Sequence, residues 1–553
     1  MTNFDITTFF KQFLYDPENP LLFNSGFFVF FFTVFIALYY CFRNKINSRR
    51  YIFCFFSLYF FYKASNEFVV LVIVSAIVDF VLSNAIYRQQ NKLKKKGLLI
   101  LSIVFNLGML FYFKYTNFFI SLSNDLFNTG FNPLNILLPI GISFYTFENL
   151  SYTVDVYRGE FKPARKFSDY LLFLSFFPKL MMGPIVRAHD FVPQINKPYQ
   201  ISETDFAKGF YLIVSGLIKK LIISDYITLN FVNYIFDDPA RYTGVENLFA
   251  VYGYAIVIYC DFSGYSDIAI GIARWLGFHI PTNFLSPYQS KNITEFWRRW
   301  HISLSSWLRD YLYIPIGGNR NATITTWIFA IAFFGGIYFM GTHLFNLSWW
   351  WSALVSALVL FIFLLPAIIS KEKKGVSANM NLLTTMLLGG FWHGANWNFI
   401  IWGGLHGIAL AIHKVWMLLT GKSLGSINKR WWYKAIMILV TFHFVCFCWV
   451  FFKTADFDET NNDFAKALTM LNQIWNHFDL SVWNGFIQNY WPVVTMMGIG
   501  FILHALPDNL ADNVINRFTK VPFLVYITAF LGFVLLYGYF KSSEPVMPIY
   551  LQF

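Results

Sequence analysis

Long apolar runs dominate the sequence, and they constrain its fold more than any other feature. A helix that crosses the hydrocarbon core needs about 20 mostly apolar residues. Runs of that kind occupy residues 22–42, 68–87, 97–122, 248–270, 327–344, 352–369, 399–419, 435–452, 493–506 and 522–540, and 51–63, 136–147, 170–182 and 206–229 are shorter or interrupted by charge. The sequence therefore predicts an all-α polytopic membrane protein with roughly ten to thirteen transmembrane helices plus re-entrant and interfacial helices.

The low share of charged residues excludes several classes of protein. Charged residues make up only 13% of the 553 residues, about half the share found in a typical soluble domain. So few charges cannot cover a folded body in water, which excludes a soluble enzyme, a disordered chain and a disulfide-stapled secreted module. Because the apolar runs are continuous rather than alternating, they predict helices and not a lipid-facing barrel.

Lysine and arginine gather beside the apolar runs in three groups. The groups are Arg43, Lys45, Arg49 and Arg50, then Arg88, Lys92, Lys94, Lys95 and Lys96, then Lys371, Lys373 and Lys374. Basic loops favour the cytoplasmic side, so we expect three cytoplasmic loops and an N-terminus outside. The net charge of +12 is thus a topology signal with some attraction to anionic lipid headgroups, and it does not indicate nucleic-acid binding.

Two carboxylates, Asp261 and Asp267, lie toward the end of the run at 248–270, with Tyr265 between them. A carboxylate inside a membrane helix costs roughly 2.5 to 3.5 kcal/mol on insertion scales, so each should face a partner or a cavity. Two interpretations stay open. The carboxylates join helices in a hydrogen-bonded network, or Tyr265 and Asp267 orient a reacting imidazole.

The stretch 292–319 contains the sequence FWRRWHISLS at 296–305. Treated as one helix, it carries a largely aromatic stripe at helical spacing. The stripe consists of Phe296, Trp300, Leu304, Trp307 and Tyr311, and Arg298, Arg299 and Arg309 lie off it. Such a helix is typical of the membrane interface, with rings among headgroups and arginines reaching water. A simple anchor leaves His301 unexplained, because a neutral imidazole adds little to anchoring.

A second histidine, His393, stands among glycines and aromatic residues in GGFWHGANW at 389–397. Imidazole is the natural proton acceptor near neutral pH, and the glycines allow a ligand to approach the ring. The alternative is a core histidine whose hydrogen bonds are satisfied. His406 follows thirteen residues later; in a continuous helix the two rings would be about 20 Å apart, which favours a structural or pathway-lining role for His406.

Two prolines and a glycine interrupt the apolar stretch around 176–187, which contains Pro178, Gly183 and Pro184. Irregular backbone at membrane depth is tolerated only when it is buried in protein or lines a water-filled cavity. Lys179 and Arg187 are then candidates for binding an anionic ligand, and the alternative is that both reach the headgroups.

Taken in order, these clusters resemble the membrane-bound O-acyltransferase family and, within it, the bacterial alginate O-acetylation branch. The matching stretches are FP at 177–178 with GPI at 183–185 and Arg187, DFSGYSD at 261–267, FWRRWHISLS at 296–305, RDYLYIP at 309–315, GGNR at 317–320 and WHGANW at 392–397. LFNS at 22–25 and WVFF at 449–452 also look like that branch. The resemblance runs over nearly the whole chain, and six stretches in the family's order make it specific.

The resemblance implies one membrane-embedded domain over 1–553, with a catalytic core at about 130–455 and C-terminal helices at 456–553. About seventy residues separate GG at 317–318 from WH at 392–393, more than expected for this branch. We therefore interpret 321–380 as an inserted helical pair. His393 takes the place of the family's catalytic histidine, and His301 falls at the second active-site position, where many relatives carry Asn or Asp.

The implied enzyme is an O-acyltransferase of the bacterial cytoplasmic (inner) membrane. It would move an acyl group, most simply acetyl, from a cytoplasmic thioester of coenzyme A or acyl carrier protein for O-acetylation of a cell-surface polysaccharide. By resemblance, an extracytoplasmic SGNH-type partner would complete the transfer. We expect no bound cofactor and no metal. The alternatives are a transporter or flippase for a polysaccharide precursor, which shares broken helices and intramembrane charges, and a non-catalytic scaffold.

The residue chemistry fits acyl transfer. His393 would take the hydroxyl proton, and His301, Asn396 or backbone N–H groups near the glycines would stabilise the oxyanion. Five basic side chains would receive the acyl donor, whose phosphates suit guanidinium and ammonium groups. They are Arg298, Arg299, Arg309, Lys179 and Arg187.

Overall fold

A computed structural model describes residues 11–17, 20–23, 25–343, 347–370, 374–420, 427–455, 463–540 and 546–549. Four residues used in the sequence predictions lie outside these ranges. They are Asn24 of the LFNS stretch, Leu344 at the end of one apolar run, and Lys371 and Lys373 of the third basic group.

The described residues form helices joined by turns and loops, without a strand among them. The helices are α1 Gly26–Cys41, α2 Ile46–Ser65, α3 Val69–Arg88, α4 Lys92–Phe127, α5 Ile142–Arg158, α6 Phe167–Ser175, α7 Phe177–Leu180, α8 Ala188–Ile195, α9 Glu203–Leu217, α10 Asp225–Ile227, α11 Asn233–Asp237, α12 Gly244–Trp275, α13 Ile293–Arg299, α14 Ile302–Leu308, α15 Ile324–His343, α16 Trp349–Ser370, α17 Lys374–His393, α18 Trp397–Thr420, α19 Trp431–Thr454, α20 Asp463–Asn476, α21 Trp483–Ala505, α22 Asp508–Phe518 and α23 Phe523–Phe540. Short π-helical stretches follow α9, α10 and α14.

Nine helical stretches of the described residues are long and apolar enough to cross a membrane. They are Ile46–Arg88, Lys92–Phe127, Gly244–Trp275, Ile324–Thr342, Trp349–Ile369, Trp397–Thr420, Trp431–Thr454, Leu480–Ala505 and Phe523–Phe540, and Gly26–Cys41 is apolar but shorter. The count falls just below the predicted range because Ile46–Arg88 passes through two helices, with a break at Asn66, where φ is +51°. The predicted class, an all-α polytopic membrane protein, is confirmed.

The chain divides into two compact units. The first comprises residues 1–226, 259–282 and 507–552, and it contains the segment broken by prolines. Every residue from 172 to 188 is buried within the protein, as irregular backbone at this depth requires. Glu148 of α5 holds the segment in place: its carboxylate binds the Lys179 ammonium and accepts a 3.2 Å hydrogen bond from the backbone N–H of Val186.

The second unit comprises residues 227–258 and 283–506, and its centre is the hairpin of α17 and α18. These helices pack closely because glycines face the partner backbone. A Cβ at Gly403 would collide with the backbone oxygen of Met386, and one at Gly390 with that of Phe399. Helices α15 and α16 form the helical pair anticipated at 321–380, and they share a buried apolar cluster with the hairpin. That the pair is an insertion stays a prediction.

Candidate active site

His393 is the last residue of α17, where the chain turns into α18. The side chain is buried, with 4% of its surface exposed, and aromatic rings enclose it. Trp392, Trp402 and Phe452 have ring centroids 4.9, 5.1 and 5.1 Å from the imidazole. The turn depends on Gly394, because a Cβ there would collide with the ring of Phe399. This setting excludes bulk water from the imidazole and holds its orientation.

His301 lies between α13 and α14, and the predicted continuous helix through this stretch is wrong. The helix breaks at Trp300, and His301 adopts a left-handed backbone with φ +43°. The break is held by backbone hydrogen bonds to the preceding loop, from Ile302 N–H to the Asn283 carbonyl and from Leu285 N–H to the Arg299 carbonyl. The reversal buries His301 completely instead of leaving it on a helix face.

The hydrogen bonds of Asn283 define the tautomer of His301. Its Oδ1 accepts from the backbone N–H and the hydroxyl of Ser303, at 3.2 and 2.9 Å, so it is an acceptor. The Nδ1 of His301, 3.2 Å from the same oxygen, must therefore carry a hydrogen and donate it. Burial lowers the pKa of His301 to about 3, which keeps the ring neutral. A neutral ring that donates from Nδ1 has its lone pair at Nε2.

The aromatic stripe of this stretch faces the protein interior, which corrects the expectation of rings in the headgroup zone. Phe296, Trp300, Leu304 and Trp307 are each at most 7% exposed. Trp300 packs against Trp449 of α19, with centroids 5.1 Å apart. The predicted stripe does form one face, because the two short helices bury the same side. These rings are apolar because they pack in the protein core, not because they anchor the helix among headgroups.

The structure brings the two predicted catalytic histidines together around one ring. The centroid of Trp392 lies 4.9 Å from that of His393 and 6.4 Å from that of His301. The two imidazoles come from different helical segments that are 92 positions apart in the sequence. The arrangement presents two buried imidazoles within one aromatic enclosure, which is suited to proton transfer away from solvent.

His406 lies much closer to His393 than a continuous helix would allow, so that assumption is corrected. The chain reverses between α17 and α18, and the Trp402 ring then contacts both imidazoles, with centroids 5.1 Å from His393 and 4.8 Å from His406. His406 is fully buried, and its Nδ1 accepts a 3.3 Å hydrogen bond from the indole N–H of Trp297. His406 is therefore part of the same aromatic cluster.

Asn396 lies immediately before α18 and links this helix to α20. Its Oδ1 accepts from the backbone N–H of Asn398 at 2.8 Å, and its Nδ2 donates to the carboxylate of Asp463 at 2.6 Å. The first bond has the form of a helix N-cap. These contacts hold the turn that follows His393.

Asp261, Tyr265 and Asp267 lie in the first unit, whereas His301 and His393 lie in the second. Asp267 pairs with Lys219 at 2.6 Å, and Asp261 pairs with Lys220 at 2.6 Å. Lys220 also contacts the Tyr265 ring, 5.8 Å from its centroid. These contacts match the first of the two interpretations, a buried network that joins helices.

The predicted donor-binding residues fall into two groups. Lys179 is buried and its ammonium is compensated by Glu148, and Arg187 is also buried; both lie in the first unit. Arg298, Arg299 and Arg309 lie in the second unit. Arg298 is exposed, Arg299 pairs with Glu295 at 2.8 Å, and Arg309 pairs with Asp310 at 2.7 Å. The second group is nearer to solvent and therefore better placed to meet a charged donor.

Sequence reasoning missed three residues that define the interior. Glu148 directly follows the short apolar stretch at 136–147, and a glutamate beside an apolar segment is a usable signal. Asn283, which orients His301, lies in a loop without any motif. Trp402 resembles any other tryptophan of a membrane helix, and only the fold of the hairpin brings it into contact with two histidines.

Comparison with known proteins identifies the family. The model of the membrane-bound O-acyltransferase family (MBOAT) matches residues 58–335, half of the chain. The chain belongs to the membrane-bound O-acyltransferase family. The matched part of this acyltransferase contains His301 and ends before His393.

Relatives of this membrane-bound O-acyltransferase act on different polymers. A peptidoglycan O-acetyltransferase of Helicobacter pylori is 31% identical over 82% of this chain and 81% of its own length. "Probable alginate O-acetylase AlgI" of Azotobacter vinelandii is 38% identical over 65% of this chain and 60% of its own. A teichoic acid D-alanyltransferase of Bacillus subtilis is 28% identical over 59% and 71%. These findings confirm a multi-pass membrane acyltransferase and set aside the transporter and the scaffold.

Proposed function

We propose that this acyltransferase takes an acetyl group from a cytoplasmic thioester for O-acetylation of a cell-surface polysaccharide, with an extracytoplasmic protein as partner. The observation that carries the proposal is the pair of buried imidazoles, His301 and His393, whose rings both lie near that of Trp392. Relatives named O-acetyltransferase or O-acetylase support acetyl as the group transferred. The bacterial organisms of those relatives support the cytoplasmic membrane as the location.

His393 acts as the general base in this proposal. The acceptor hydroxyl oxygen attacks the thioester carbonyl carbon, a C–O bond forms, and His393 takes the hydroxyl proton. The carbonyl electron pair moves to oxygen and returns when the C–S bond breaks, and the leaving thiolate takes the proton back from His393. A positioned base contributes about 10²- to 10⁴-fold to the rate. The aromatic enclosure of His393 excludes water, so hydrogen bonds to the charges that form during the step are stronger than they would be in water.

His301 serves as a hydrogen-bond acceptor rather than as an oxyanion donor. Its one N–H is committed to Asn283, and the ring is neutral. The Nε2 lone pair is then suited to accept the hydrogen bond of the incoming hydroxyl and to orient it toward the carbonyl carbon. A residue that orients one reactant contributes less than the base, so His301 should matter less than His393.

The thioester arrives as coenzyme A or as an acyl carrier protein, both of which carry phosphate on the pantetheine arm. Guanidinium groups bind phosphate in a bidentate manner. Arg298, Arg299 and Arg309 supply such groups on the second unit, together with the carboxylates that pair with the last two. When a donor phosphate displaces the carboxylates of Glu295 and Asp310, the guanidinium groups of Arg299 and Arg309 bind the phosphate instead.

The proposal is tested with purified protein in lipid nanodiscs, supplied with acetyl-coenzyme A or acetylated acyl carrier protein and a polysaccharide acceptor. Free thiol and acetylated polymer are measured with and without a candidate partner protein. We expect His393→Ala to reduce turnover by about 10²- to 10⁴-fold and His301→Ala by less. The matched control is His443→Ala, because His443 lies on the exposed side of α19 and bonds Tyr252 at 2.9 Å. A folded His393→Ala protein with wild-type turnover would contradict the proposal.

A further inference from the structure

An oxyanion needs a hydrogen-bond donor, and the residues considered from the sequence are committed elsewhere. His301 donates its N–H to Asn283, and Asn396 donates to Asp463. Two other buried N–H groups belong to rings of the aromatic cluster around His393. They are the indole Nε1 of Trp402 and the Nε2 of His406, and neither has a hydrogen-bond partner among the described residues.

The tautomer of His406 follows from its contact with Trp297. An indole N–H only donates, so the Nδ1 of His406, 3.3 Å from the indole nitrogen of Trp297, must accept. A neutral imidazole that accepts at Nδ1 carries its hydrogen at Nε2. His406 therefore presents an N–H donor from a fully buried ring.

Both donors are expensive to leave unsatisfied in the protein interior. Trp402 and His406 are at most 1% exposed, and a buried polar group without a partner costs about 1 to 3 kcal/mol. A site that binds a charged or polar oxygen explains why such donors are kept. The Trp402 ring contacts both His393 and His406, with centroids 5.1 and 4.8 Å away, so both donor rings belong to one aromatic cluster with the proposed base.

We propose that Trp402 and His406 donate hydrogen bonds to the thioester carbonyl oxygen as it becomes an oxyanion. This inference depends on the proposed function, because it assigns the donors of the same reaction. In the step described above, the carbonyl electron pair moves onto an oxygen held by these two N–H groups, and it returns when the thiolate leaves. In this step His393 removes the proton, and the N–H groups of Trp402 and His406 stabilise the negative charge on the oxygen.

Single-ring substitutions test the proposal. Trp402→Phe and His406→Phe keep an aromatic ring and remove the N–H. Loss of one oxyanion donor typically lowers kcat by about 10²- to 10³-fold, and we expect that loss with little change in KM for acetyl-coenzyme A or acetylated acyl carrier protein. His406→Gln retains an N–H donor and should recover at least part of the lost kcat.

The matched control is Trp449→Phe. Trp449 is also fully buried and stacks on Trp402, with centroids 6.0 Å apart, but its indole N–H bonds the Tyr288 hydroxyl at 3.2 Å. Loss of the Trp449 indole N–H in this variant should lower the melting temperature and leave kcat within a few-fold of wild type. Folding of every variant is checked by its melting temperature in detergent.

The outcomes separate this inference from the proposed function. If Trp402→Phe and His406→Phe both keep the kcat of Trp449→Phe while His393→Ala is inactive, the donor assignment is wrong and the proposed function stands. If His406→Gln is as slow as His406→Phe, the N–H of His406 is not the active feature and the assignment also fails. If His393→Ala turns over like wild type, the proposed function itself fails.

Discussion

The interiors of the two units contain polar groups of different kinds. The first unit buries full charges, and each of them has a charged or hydrogen-bonding partner: Lys179 with Glu148, Lys220 with Asp261, and Asp79 with a side-chain network. The second unit buries imidazole and indole rings, and the Nε1 of Trp402 and the Nε2 of His406 have no hydrogen-bond partner among the described residues. Removal of one partner from a buried charge pair leaves the other charge uncompensated, whereas an imidazole can exchange a proton and an indole N–H can donate a hydrogen bond.

This contrast explains which polar residues were informative in the sequence. In a chain with few charges, every buried ion suggests function, but the ions of the first unit mainly satisfy one another. The buried polar groups that match acyl-transfer chemistry are the neutral ones. Breaking a charge pair should therefore lower stability, and changing a ring that is assigned to the reaction should lower turnover.

The largest stability effect is expected from Glu148→Gln in the first unit. The substitution leaves the Lys179 ammonium buried without its counter-charge, and removal of one partner from a buried pair costs about 3 to 5 kcal/mol. Thermal and denaturant unfolding in detergent measure the loss. The double variant Glu148→Gln/Lys179→Met should recover most of it. A single variant as stable as wild type would show that the pair is not what holds the broken segment.

A smaller effect is expected from the titration of His301 in the second unit. Its pKa is lowered by burial to about 3 in the folded protein and is about 6.5 in the unfolded chain. Below pH 6.5 the unfolded state binds the proton and the folded state does not, so stability falls as pH decreases from 6.5 toward 3. At pH 5 the loss is about 2 kcal/mol relative to pH 8.

The comparison protein for this titration is His301→Gln, which lacks the titrating group. On acidification from pH 8 to pH 5, the unfolding free energy of the wild-type protein should fall by about 2 kcal/mol more than that of His301→Gln. Parallel curves for the two proteins would mean that His301 is protonated in the folded state or is not buried.

The smallest effect is expected from Trp297→Phe. This change removes the hydrogen bond that fixes the tautomer of His406, and a neutral hydrogen bond contributes about 1 kcal/mol to stability. A tautomer preference of that size corresponds to about a fivefold population ratio, so kcat should fall by less than about tenfold. A much larger loss of kcat, with the protein still folded, would assign Trp297 a direct part in the reaction.

Much of the architecture was predictable from the sequence because membrane helices follow from apolar length alone. The histidines could be chosen as candidates because a buried imidazole in so apolar a chain needs a hydrogen-bonding or chemical role, and their catalytic roles stay a prediction. The reversal between His393 and Trp397 was not predictable, since three connecting residues with one glycine do not by themselves determine a hairpin. The break at Trp300 was also missed, because the aromatic spacing of residues 296–311 is the same for one long helix and for two short ones that bury a common face.

The partners of the buried ions were unpredictable for another reason. Lys179 and Glu148 are 31 positions apart, and Lys220 and Asp261 are 41 apart. Periodicity describes which face of a helix is buried, but it does not describe which helix lies opposite. Side-chain pairing between helices is determined by tertiary packing alone.

The left-handed turn at His301 limits which amino acids this position accepts. Asparagine, aspartate and histidine are the non-glycine residues most enriched in that backbone conformation, and β-branched residues are strongly disfavoured there. The resemblance to the acyltransferase family implies the same three residues at this position. Substitution by valine or isoleucine would strain the main chain before any reaction began, so the residues that this position accepts are limited by backbone geometry as well as by chemistry.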